Sequence, residues 1–172
     1  MIITISGLSG SGKNTLGEVL SERLRYRLVC PTFKDLAKKE GIALLEFQKK
    51  AEKDPDIDRK FDALLKEEAG KGNCVVTTWL GPWMVNPNVS VWVYAPDNVR
   101  AERLAKRDGI SVKEAREHIL ARDDANRARY LKLYSIDIFD QSGFDIQVNS
   151  GTFNPDELAD IVLKVIEIKK KR

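Results

Sequence analysis

Gly7-Leu8-Ser9-Gly10-Ser11-Gly12-Lys13-Asn14-Thr15 follows directly on the strand-like run Ile2 to Ser6, β-branched from Ile2 to Ile5, and directly precedes a segment of helical spacing. A glycine-rich loop between a first strand and a first helix lets backbone N–H groups converge on phosphate, with the helix N-terminus adding positive potential. Lys13 is then expected to reach the β- and γ-phosphates, and the Thr15 hydroxyl to face a magnesium ion. The loop as a whole, Gly7, Ser9, Gly10, Ser11, Gly12, Lys13, Asn14 and Thr15, is the expected nucleotide cradle. The general pattern sets Ser or Thr immediately after the lysine, whereas here Asn14 intervenes.

Outward from this loop, short apolar runs recur at Leu28 to Cys30, Cys74 to Thr77, Val89 to Tyr94 and Ile146 to Val148. Their lack of alternation predicts parallel strands buried on both faces. Between them, Leu16, Val19, Leu20 and Leu24 share one helical face, as do Leu158, Ile161, Val162, Val165 and Ile166. The expected fold is therefore α/β, a three-layer α/β/α sandwich around a five-stranded parallel sheet. Ser111 with Glu114, and Asn154 with Pro155, mark two helix starts.

The single-domain core is expected at residues 1–31, 73–96 and 144–172. An all-helical insertion of about 32–72, broken near Gly41 and at Asp54-Pro55, is longer than a crossover needs and predicts a substrate-binding element. The region of about 97–143, broken at Asp108-Gly109 and rich in arginine, predicts a mobile lid.

Composition narrows the classes. With 172 residues, 32% charged residues and a net charge of +3, the chain fits one soluble domain, and the charge does not point to nucleic acid. Cys30 and Cys74 form no CxxC pair and His118 is the single histidine, which disfavours a protein-built metal cage. The expectation is a reduced, cytoplasmic monomer without membrane segment, acting on small-molecule nucleotides.

The loop resembles that of the nucleoside monophosphate kinases, whose GxxGxGKGT register accepts a small residue between lysine and threonine. Asp54-Pro55-Asp56-Ile57-Asp58-Arg59, Arg107-Asp108-Gly109-Ile110-Ser111-Val112 and Arg122-Asp123-Asp124-Ala125-Asn126-Arg127-Ala128-Arg129-Tyr130 narrow the resemblance to short archaeal-type cytidylate kinases. It runs nearly end to end, including Tyr134-Ser135-Ile136-Asp137. It implies ATP and Mg2+ as cofactors, CMP or dCMP as acceptor, Arg122 and Arg129 on phosphate, and Asn126 near the acceptor ribose. Asp58 and Arg59 in the insertion are implied acceptor contacts, with ordinary surface charge as the other reading; Arg103 and Arg107 can approach ATP phosphate or adenine. Since Arg122, Arg127 and Arg129 cannot share one helical face, Arg127 is expected to meet Asp123, Asp124 or solvent.

Two departures bear on the acceptor. Thr77-Thr78-Trp79 stand where the family commonly has an acid followed by Gly-Arg, and Lys34 stands where it has arginine. Trp79 and Trp83 can stack on a flat acceptor or close the core. A kinase with a different acceptor, or a nucleotide-binding module without turnover, are the alternatives.

Overall fold

The computed structural model describes residues 1–31, 33–42 and 54–171, with the backbone alone for residues 33–35, 39 and 55. Its strands are β1 (Ile2–Ser6), β2 (Arg27–Val29), β3 (Cys74–Thr77), β4 (Val89–Tyr94) and β5 (Ile146–Asn149). They form one parallel sheet in the order β2-β3-β1-β4-β5. The expected strands all form, with β2 starting one residue earlier and β5 ending one later than their apolar runs.

Burial explains the missing alternation. Ile3, Ile5, Val75, Val89, Val91 and Val93 face α1 (Lys13–Leu24) and α7 (Pro155–Lys170), meeting Leu16, Leu20, Leu158, Val162 and Ile166. On the other face Cys74, Val76 and Val29 meet Leu65 and Ala69 of α3 (Pro55–Gly70). Both faces of β3 thus lie in dry cores, so successive residues are equally apolar.

The helix boundaries follow local chemistry. Asp54 caps α3 by accepting from the Asp56 N–H at 3.0 Å, followed by proline at the first turn. Asn154 and Glu157 complete a reciprocal capping box on α7. Ser111 caps α6 (Val112–Tyr134) through the Glu114 N–H. Gly109, at φ 70°, ends α5 (Asp97–Asp108), which is where the arginine-rich region was expected to break. α2 (Phe33–Glu40) and the short α4 (Gly81–Met84) complete the chain.

All strands run the same way, so the segments after β1, β3 and β4 emerge at one edge of the sheet. β1 has β3 on one side and β4 on the other, and connections from it diverge to both sides; such a switch point is where open α/β sheets hold ligands.

Candidate active site

The glycine loop leaves the buried end of β1 in a conformation that side chains would block. A Cβ on Gly7 would stand 2.2 Å from the Val93 carbonyl oxygen, and one on Gly10 2.9 Å from the Arg100 carbonyl oxygen. Gly10 and Gly12 have φ values of 75° and 87°, in the left-handed region glycine tolerates best. Gly12 is also the N-cap of α1 and offers no side-chain acceptor to the first turn, whose N–H groups stay available to an anion. The Ser9 and Ser11 hydroxyls are buried and have no protein partner. A cradle of glycines, uncapped N–H groups and unpaired hydroxyls fits nucleotide phosphates.

Lys13, half-buried, opens α1. Burial pulls its ammonium down to about 8, and the nearby Arg122 guanidinium pushes the same way; Cys30 and Asp123 oppose them, and Arg107 adds to the lowering. Its Nζ stands 5.5 Å from the centre of the Trp79 ring. Asn14 and Thr15 are exposed in the same first turn. Among the described residues no group of three or more His, Cys, Asp and Glu could hold a metal ion.

Behind the loop lies a pair that helical spacing alone did not reveal. Arg100 of α5 donates to Asp123 of α6 at 2.6 Å and to the Ser9 carbonyl at 2.9 Å, while Asp123 accepts from the Ser9 N–H at 3.1 Å. Arg103, expected near ATP, donates to the Gly10 carbonyl at 3.2 Å and to Ser150 Oγ at 2.9 Å, joining the loop to the segment after β5. Arg107 is gripped by Asp108 through two hydrogen bonds, yet its charge still reaches Lys13.

Helix α6 carries the remaining arginines. Arg122 is exposed and its charge reaches Lys13, and Asn126 is half-buried one turn further on. Arg129 makes a bidentate ion pair with Asp58 of α3. Arg127 differs from expectation: it pairs with Asp137 rather than Asp123 or Asp124, donating at 2.8 Å and 2.6 Å. The cause is the left-handed Ser135 that ends α6 and turns the following chain back over the helix. Asp123 is in any case occupied by Arg100.

Asp58 and Asp62 bring α3 against α6. Tyr134 donates its hydroxyl to Asp62, whose carboxyl is pushed up by burial while that hydrogen bond opposes the shift. Burial also pushes the Tyr130 phenol up to about 12. Arg59 instead pairs with Asp56 at 2.9 Å, 70% exposed, and is not drawn into this contact. The Lys34 side chain lies outside the described residues.

Thr77 and Thr78 are buried with unpaired hydroxyls, and the Thr78 carbonyl accepts from Ser6 Oγ at 2.9 Å. The tryptophans after β3 diverge. Trp79 meets the loop lysine, whereas Trp83 packs edge-on to Phe144 at 5.6 Å, and Phe144 in turn meets Trp92. His118 is exposed, as its charged helix predicts. No helix among the described residues is long and apolar enough to cross a membrane.

Comparison with known proteins agrees with this geometry. The model of the cytidylate kinase-like family matches residues 2–152. A cytidylate kinase of Pyrococcus horikoshii is 44% identical over 170 residues, covering 97% of this chain and 88% of the relative. One of Archaeoglobus fulgidus is 40% identical over 174 residues, covering 99% and 97%. Among solved structures, a shikimate kinase from Acinetobacter baumannii in complex with shikimate superposes with a TM-score of 0.65 at 17% identity, over 99% of this chain and 95% of that one, a likeness of fold alone. With most of its length matched by the family model and by these relatives, the chain belongs to the cytidylate kinase-like family.

Proposed function

We propose that the protein transfers the γ-phosphoryl group of ATP to a nucleoside monophosphate, CMP or dCMP, giving ADP and the nucleoside diphosphate. An acceptor phosphate oxygen forms the new bond to the γ-phosphorus as the bond to the bridging oxygen of ADP breaks. The observation that carries this reading is the loop itself: Gly10 and Gly12 turn with positive φ into the uncapped start of α1, whose first residue is Lys13, a place suited to an anion with charge to spread.

The loop N–H groups and the Ser9 and Ser11 hydroxyls bind and orient the triphosphate, and Lys13 meets its β- and γ-oxygens. Mg2+, when bound, neutralises charge between those phosphates, and the Thr15 hydroxyl is its protein donor. Arg122 and Arg129 steady the transferring group from the lid helix. Arg103 and Arg107 border the ATP side. Asp58, Arg59, Lys34 and Asn126 serve the acceptor, with Trp79 at the junction between the two substrates. Phosphoryl transfer needs mainly positioning and charge stabilisation, and this chain supplies guanidinium groups where an acid–base residue would add little.

A different acceptor is the second reading, favoured by Thr77, Thr78 and Trp79 where the family commonly carries acid-Gly-Arg. The deciding experiment is magnesium-dependent ADP release from ATP with CMP, dCMP, UMP, AMP and GMP offered separately. Fast turnover with CMP or dCMP is expected. Release with none of them, alongside intact ATP binding, moves the assignment to another acceptor or to a binding module.

A further inference from the structure

We infer that Trp79 is a positioning residue for the phosphate loop: its indole face holds the Lys13 ammonium where that ammonium meets the nucleotide phosphates. The inference rests on the reading of the loop as a nucleoside triphosphate site.

β3 and β1 are parallel neighbours with Ile5 opposite Thr77, so Trp79 lies two residues past Thr77 as Gly7 lies two past Ile5. The tryptophan therefore stands level with the mouth of the loop, and Lys13 Nζ lies 5.5 Å from its ring centre. Among the described residues no ion pair is formed by Lys13; the charges of Arg122 and Arg107 act against its ammonium and those of Cys30 and Asp123 favour it. A flexible four-carbon stem with no ion-pair partner to fix it needs another contact to hold its ammonium in one place. The electron-rich face of an indole attracts an ammonium without neutralising it. One N–H of the ammonium directed at the ring leaves two for phosphate oxygens. A carboxylate in the same place would compete with phosphate for the lysine; an indole does not. Trp79 thus acts on the ATP side of the cleft through Lys13.

The test compares W79F and W79L in the full chain, measuring the Kd of ATP by calorimetry without acceptor and KM for ATP and for CMP in turnover. Phenylalanine keeps an aromatic face and leucine does not. We expect W79F to bind ATP within about threefold of the parent and W79L to bind it about five- to thirtyfold more weakly, the range of a partly buried cation–π contact. KM for CMP should stay within about twofold in both. Equal weakening by the two variants overturns the inference, as does a rise in KM for CMP with ATP binding unchanged, which would assign Trp79 to the acceptor. W79M replaces W79L if the latter does not fold. Because ATP binding is read without turnover, loss of the kinase reading would leave this result standing or falling by itself.

Discussion

Arg100 and Asp123 form an ion pair at 2.6 Å in which both side chains are almost fully buried, at 4% and 3% exposed. Through Ser9 the pair holds the phosphate loop at both its N–H and its carbonyl, and through Asp97 it holds the start of α5. The loop and α6, the helix that carries Arg122, are thereby fastened to one another.

Removing one partner of a buried pair costs about 3–5 kcal/mol where the other charge is left alone, and less here because Arg100 keeps Asp97 and the Ser9 carbonyl, so about 2–3 kcal/mol is expected. Asp123→Ala should therefore lower stability by that amount in urea unfolding, and displace Ser9 enough to weaken ATP binding. Replacing both partners, as Arg100→Met with Asp123→Leu, should recover most of the stability while ATP binding stays weak, because the loop has lost its anchors. A double variant no more stable than Asp123→Ala would show that the pair itself contributes net stability.

Arg129 and Asp58 join α6 to α3 in a bidentate contact. If Asp58 serves the acceptor, Asp58→Ala should raise KM for CMP about tenfold or more and leave KM for ATP within about threefold. Steady-state kinetics with each substrate varied at saturation of the other measure both. A rise confined to ATP would assign Asp58 to the donor side.

Lys13 gives a pH signature. Burial and Arg122 lower its ammonium from the ordinary 10.5 to about 8, so the charged form that phosphate needs is lost as pH rises through about 8. In the free enzyme kcat/KM for ATP should decline above that pH. Bound phosphate favours the ammonium and restores its proton, so ATP binding at pH 8.5 should take up a proton, seen as a buffer-dependent heat in calorimetry. The same depression means that the unfolded chain holds the proton between about 8 and 10.5 and the native chain does not, so this group adds stability as pH rises across that window. Absence of proton uptake at pH 8.5 would mean that Lys13 does not meet the phosphates.

The strands and the phosphate loop were legible because each is coded locally. Residues 2–5 are a β-branched run, and the loop's glycines stand at the positions where φ is positive or a Cβ would strike the Val93 carbonyl. Helix ends at Asp54, Gly109 and Asn154 were legible for the same reason. The side-chain pairing of the lid was not. Helical spacing offers Arg127 its neighbours at three and four residues, whereas its partner, Asp137, is ten residues on and arrives through the turn at Ser135. Arg100 carries no sign of its role in the sequence, because Ser9 and Asp123 come to it through the tertiary fold. Trp79 and Trp83 read as a pair because they are close in sequence, yet α4 begins between them and sends them to different neighbours.

Packing of α1 on β3 allows a prediction whose sign reverses with its background. A Cβ on Gly17, buried in the interior of α1, would stand 2.1 Å from Thr77 Cγ2. Gly17→Ala should then force α1 away from the sheet and cost about 1–3 kcal/mol, the usual range for overpacking. Serine at position 77 lacks that methyl group. In the Thr77→Ser background the clash is gone, and alanine's advantage over glycine inside a helix, up to about 1 kcal/mol, should make Gly17→Ala neutral or stabilising. Urea unfolding of the parent, both single variants and the double variant gives the coupling energy directly. Since α1 opens with Lys13, the single Gly17→Ala variant should also bind ATP more weakly and the double variant should regain that affinity. Additive stability changes in the four proteins would mean that the Thr77 methyl group does not set the distance between helix and strand.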